Sequence, residues 1–110
     1  MGLRRRRDVL LALVATRAGH AQTLAEQRTR IDALDRQIVA LLNQRAEVVQ
    51  AIGRWKRQAG QAVTAPAREQ EVLRNVMAEA GALPPESVRR IYERVLTEMK
   101  AAERLEMRRC

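Results

Sequence analysis

From Leu24 to Lys56 the chain carries a 4-3-4-3 ladder that no proline interrupts: Leu24, Arg28, Ile31, Asp35, Ile38, Leu42, Arg45, Val49, Ile52 and Lys56. That spacing puts every rung on one stripe of a single amphipathic α-helix. Leu34, Leu41, Val48 and Trp55 widen the stripe. Yet Arg28, Asp35, Arg45 and Lys56 are charged where a core seam is normally apolar. A buried cation is costly unless something anionic meets it. A core-like stripe holding three cations therefore points to an internal pocket for a small anion. Asp35 reads as the partner of an arginine across the helices.

The first helix should run from about Gln22 to Arg57, where Gly60 and its neighbours break it. Pro66 suits the first turn of a second helix, with Thr64 or Ala65 as N-cap. That helix continues through Glu69, Val72, Leu73, Val76 and Met77 to about Ala80, and Gly81 ends it. Pro84-Pro85 opens a third helix, whose stripe is Val88, Ile91, Tyr92, Val95, Leu96, Met99, Ala102 and Glu103. Trp55 and Tyr92 are the only aromatic residues, and both read as core. Apolar content comes from Leu, Val, Ala, Ile and Met beside abundant Arg, Glu and Gln, which favours helix over strand. The expected fold is all-α, with three helices and the longest first.

A first helix of this length spans on the order of 50 Å, too long for a small compact monomer. Arg45 and Lys56 lie about three turns apart on one face, roughly 16 Å along the axis, so their long side chains can converge. Arg28 lies roughly 26 Å before Arg45. One metabolite-sized ligand cannot touch Arg28 and Lys56 of the same straight helix, but an antiparallel second copy could return Arg28 to the Arg45–Lys56 end. If the three cations serve one ligand, the active unit is a homodimer with two shared sites.

The net charge is +8, but its placement is uneven. Residues 28–107 carry fourteen basic against eleven acidic residues, so the body is only mildly basic. Solvated helix faces and basic ends explain the excess. No RNA-binding signature or aromatic stacking set supports nucleic-acid binding. His20 is the only histidine, and Cys110, the last residue, is the only cysteine. Catalytic triads, histidine-based metal sites and an internal disulfide are thereby excluded. No cofactor, metal or membrane partner is expected, since no segment is long enough to span a bilayer.

Residues 1–21 differ from the rest. Arg4–Arg7 precede the uncharged run Val9–Thr16 and then Ala18-Gly19-His20-Ala21. This pattern fits an export leader cut near Ala21, and Arg6-Arg7-Asp8-Val9-Leu10 resembles a twin-arginine signal. The apolar run is short, however, and Arg17 follows closely. A cytoplasmic N-terminal extension is the favoured reading, with periplasmic export as the alternative. The helical domain is placed at residues 22–107.

Four segments, in order, carry a resemblance. They are Arg28-Thr-Arg-Ile31-Asp32-Ala-Leu34-Asp35, Leu41-Leu42-Asn43-Gln44-Arg45, Ile52-Gly53-Arg54-Trp55-Lys56 and Pro66-Ala67-Arg68-Glu69. Each is weak alone, but together and at these separations the chain resembles the all-helical chorismate mutases over about residues 22–106. The resemblance implies an intertwined three-helix homodimer that converts chorismate to prephenate by a Claisen rearrangement, without cofactor or metal. It implies that Arg28 reaches a substrate carboxylate across the dimer, while Arg45 clamps a carboxylate within its own chain. Lys56 would contact the ether oxygen and a carboxylate, Arg68 would support the carboxylate site, and Glu69 would accept from the ring hydroxyl. Glu103 would face the ether oxygen, where the family has glutamine or glutamate.

The chemistry agrees. Chorismate is a dianion, which suits bidentate arginine clamps. The rearrangement is concerted and needs no nucleophile or proton transfer. It needs the chair-like conformer held and the negative charge growing on the ether oxygen stabilised. An ionised Glu103 would repel that oxygen, so Glu103 is expected to be neutral in the productive complex and to donate a hydrogen bond. The alternative is that Glu103 pairs with a core arginine. Two positions depart from the family pattern: Ala65 replaces a frequent aspartate, and Met99 replaces a frequent serine. The alternative function on the same fold is isochorismate-pyruvate lyase. The Ala65-Pro66 pairing leans toward it and Glu69 leans against it.

Overall fold

A computed structural model describes residues 23–108. The leader expected at 1–21, with His20, lies outside the described residues, as does Cys110. The elements are α1 (Leu24–Ala59), α2 (Pro66–Met77) and α3 (Pro85–Arg108), with no strand among the described residues. The all-α, three-helix expectation is met. Two compact units divide between Val39 and Ala40.

In the first unit, α1 begins on a reciprocal capping box. Thr23 N–H donates to Glu26 Oε1 (2.8 Å) and Glu26 N–H donates to Thr23 Oγ1 (3.1 Å). Two amides that a helix start leaves unpaired are thus satisfied. The Thr23 backbone N–H, followed by its hydroxyl, holds the Glu26 carboxyl below the usual glutamate range. Thr23-x-x-Glu26 therefore sets the helix start slightly after the expected Gln22. Leu24, Ile31, Leu34, Ile38 and Val39 are all more than half exposed. Arg28 and Asp35 are exposed as well, and Asp35 forms no ion pair among the described residues.

In the second unit, α1 ends where glycine lets the chain turn. Gly60 has φ +70°. Gly60 N–H donates to Arg57 O (3.3 Å) and Gln61 N–H to Lys56 O (2.9 Å), the paired bonds of a Schellman stop. Lys56 therefore sits in the last turn, where a cation also suits the helix dipole. Pro66 opens α2 as expected, but Ala65 is its N-cap and no side chain caps it, so Thr64 does not substitute. The expected end of α2 is corrected. The helix stops at Met77 rather than Ala80, and it tightens through Glu79 N–H to Val76 O (3.0 Å) and Ala80 N–H to Met77 O (3.1 Å). These i→i+3 bonds consume the last turn. Gly81 is not the left-handed stop, because its φ is not positive.

The end of α1 packs closely on α3 because Gly53 has no side chain. A Cβ there would lie 3.1 Å from Glu103 O and 3.3 Å from Glu103 Cγ. One turn further along α3, Glu106 is buried, and its Oε1 accepts from Arg54 Nη1 at 3.1 Å. Arg57 Nη1 donates to the Glu106 carbonyl (3.0 Å), satisfying one of the open carbonyls at the end of α3. Val49, Leu73, Leu96 and Met99 form the buried apolar centre. Each such burial contributes roughly 1.5–3 kcal/mol. The stripe of α1 is only partly covered within the chain. Val48 and Ile52 are exposed, and Trp55, expected in the core, is 58% exposed, because no helix of the same unit lies over that side.

Candidate active site

The end of α1, the turn after it, the start of α2 and the middle of α3 line a half-open cavity of about 460 Å³. That volume is typical of small-molecule sites. Arg45 and Lys56 line it from α1, Arg68 and Glu69 from α2, and Lys100 and Glu103 from α3. Val49, Ile52, Val72 and Leu96 supply apolar wall. Five of the six expected site residues, Arg45, Lys56, Arg68, Glu69 and Glu103, are brought together. Arg28 belongs to the other unit and is not among the residues of this cavity.

Lys56 is held from two sides. Its Nζ donates to Val63 O at 3.1 Å, which ties the turn after α1 back to the helix end. The same Nζ lies 2.7 Å from Glu103 Oε2, and both side chains are largely buried. The contact is off the direction of a hydrogen bond, so Glu103 Oε2 has no hydrogen-bond partner among the described residues. The expected alternative of a core arginine beside Glu103 is corrected: the cation at Glu103 is Lys56. Glu103 stands where it does because Gly53, one turn before Lys56, admits the α3 backbone.

The other cations differ in their support. The Arg45 guanidinium carbon lies 5.8 Å from the centre of the Tyr92 ring, within cation–π range. Tyr92 is therefore half-buried beneath a site arginine rather than plain core. Arg68 Nη1 bonds Glu71 Oε1 at 2.6 Å on an exposed face, which places its guanidinium at the rim. Glu69 Oε1 accepts from Lys100 Nζ at 3.3 Å. Sequence reasoning missed Lys100, although its place three residues before Glu103 puts both on one face of α3. Gly53 was missed too, although it lies three residues before Lys56. Ala65 and Met99 do line the cavity, so both departures from the family pattern fall within it.

Four cations face two carboxylates, so with every group charged the cavity is positive by two. No histidine or cysteine lines it, and no group of three or more His, Cys, Asp or Glu among the described residues is placed to hold a metal ion. What the arrangement can do is bind a small dianion, exclude water on its apolar side and place a lysine against an oxygen that gains charge.

Residues 27–104 match the family described as chorismate mutase type II. The chain belongs to that family. It is 42% identical over 84 residues to a bifunctional chorismate mutase/prephenate dehydratase from Neisseria gonorrhoeae, which covers 76% of this chain and 23% of that protein. An Aquifex aeolicus protein of the same description is 30% identical over 88 residues, covering 76% and 24%. The chain thus spans about a quarter of the length of these curated relatives. Among solved structures, a chorismate mutase (form II) from Thermus thermophilus superposes with a TM-score of 0.70 at 32% identity, covering 80% of this chain and 98% of that one. No described helix is long and apolar enough to cross a membrane.

Proposed function

We propose that this member of the chorismate mutase family catalyses the rearrangement of chorismate to prephenate, as a homodimer in which Arg28 of each copy completes the cavity of the other. The observation that carries the reading is the convergence of Arg45, Lys56, Arg68 and Glu103 on one cavity of substrate size. Arg45 and the second copy's Arg28 clamp the two carboxylates, with Arg68 strengthening the field from the rim. Clamping fixes the enolpyruvyl arm over the ring, and holding reactive ends together removes much of the entropic barrier. As the C–O bond breaks and the C–C bond forms, charge grows on the ether oxygen. Lys56, already held by Val63 O, stabilises it from one side. A protonated Glu103 donates from the other, and Glu69 accepts from the ring hydroxyl.

The second copy is supported by the uncovered apolar stripe of α1. Ile31, Leu34 and Ile38 in one unit, and Leu41, Val48 and Trp55 in the other, are each more than half exposed. Apolar surface arranged so regularly marks an interaction face. A second reading, isochorismate-pyruvate lyase, is favoured by Ala65 at the cavity and opposed by Glu69 beside it. Turnover with products resolved tests the choice. Prephenate from chorismate supports the mutase. Pyruvate from isochorismate without prephenate supports the lyase.

A further inference from the structure

Lys100 is the one charged residue of the cavity to which the mechanism assigns nothing. Its Nζ lies 3.3 Å from Glu69 Oε1, and the two side chains are 30% and 25% exposed. Lys100 and Glu103 are three residues apart and share a face of α3. They carry opposite signs and reach in different directions. Glu103 meets Lys56 on α1, and Lys100 meets Glu69 on α2. The third helix thus closes the cavity with two crossed ion pairs.

Glu69 needs such a partner. It faces a cavity proposed to hold a dianion, and a lone carboxylate there would repel the ligand. It would also be free to turn toward water. A carboxylate oxygen accepts, and that is what a ligand hydroxyl requires. An ammonium on one oxygen screens the repulsion, holds the group in place and leaves the second oxygen for the hydroxyl. We propose that Lys100 is a positioning residue that fixes Glu69 as the acceptor for the ligand's ring hydroxyl and screens it from the ligand's carboxylates. The proposal rests on the reading of the cavity as a chorismate site.

The test is a double-mutant cycle on the full chain with chorismate as substrate: wild type, Lys100→Met, Glu69→Gln and the double variant. Lys100→Met should raise KM on the order of tenfold, the scale of one charge-assisted hydrogen bond, with a much smaller change in kcat. In the Glu69→Gln background the same substitution should shift KM by less than about twofold, since no carboxylate remains to be held. Lys100→Arg should restore most of the wild-type KM. Equal KM factors in both backgrounds would overturn the proposal, because Lys100 would then act on the ligand directly. No KM change in either background would also overturn it, leaving a pair that only joins α2 to α3. A folded wild-type protein that neither turns over nor binds chorismate would instead remove the reading beneath the proposal, and the proposal with it. That outcome is visible before any variant is made.

Discussion

Lys56 Nζ stands 2.7 Å from Glu103 Oε2, inside the cavity and largely out of water. The lysine and the carboxylate occupy each other's approach in the free protein. An anionic ligand entering between the arginines changes the balance, because the carboxylate is then the group of the wrong sign. On this account, binding breaks the Lys56–Glu103 contact and frees Lys56 for the ether oxygen.

Removing Lys56 should strike the chemical step. Lys56→Ala removes the donor to the developing oxyanion, and losses of this kind are about 100- to 1000-fold in kcat. The substitution also removes the cation beside buried Glu103 and the bond to Val63 O, so thermal stability should fall while the helices still form. Single-turnover kinetics with circular dichroism as control would check both statements.

Glu103→Gln tests whether that position must donate. The amide is a neutral donor of nearly the same shape, so the variant should turn chorismate over at least as fast as the wild type. Steady-state kinetics on the two proteins decide the point. A large loss of kcat in a folded variant would show that the carboxylate itself is needed.

Gly53→Ala should harm stability and catalysis together. The added methyl meets the Glu103 carbonyl at 3.1 Å, so the α3 backbone must give way. Overpacking of this type costs about 1–3 kcal/mol. The same displacement moves Glu103 relative to Lys56, so kcat should fall while KM changes less. Thermal unfolding and steady-state kinetics on one preparation would measure both.

Much of the architecture was legible because it follows from local rules. The ladder from Leu24 to Lys56, with Gly60 after it, fixed α1 to within two residues at each end. Pro66 and Pro84-Pro85 marked the starts of α2 and α3. The end of α2 was misread because Gly81 suggested a left-handed stop, whereas the chain tightens into i→i+3 turns before reaching it. Trp55 was assigned to a core that one chain does not build. The stripe tells which face wants cover, not which molecule supplies it.

The site divides along the same line. Arg45, Lys56, Arg68, Glu69 and Glu103 stood out because charge on a greasy stripe, or a motif, drew attention to them. Lys100 and Tyr92 did not, since a lysine or a tyrosine on a third helix is ordinary. Only the fold sets Lys100 against Glu69 and Tyr92 beneath Arg45. Gly53 carries no charge at all, and its role depends on the distance between two helices.

The shared site is tested most directly by mixing two disabled chains. Arg28→Ala and Lys56→Ala should each be nearly inactive on chorismate as homodimers. Unfolded together and refolded at equal amounts, they form mixed dimers. Each mixed dimer holds one intact site, with Lys56 from one chain and Arg28 from the other, and one site lacking both. The mixture should recover about a quarter of wild-type prephenate production. A mixture that stays inactive although mixed dimers are present, or an Arg28→Ala protein as active as the wild type, would contradict the account.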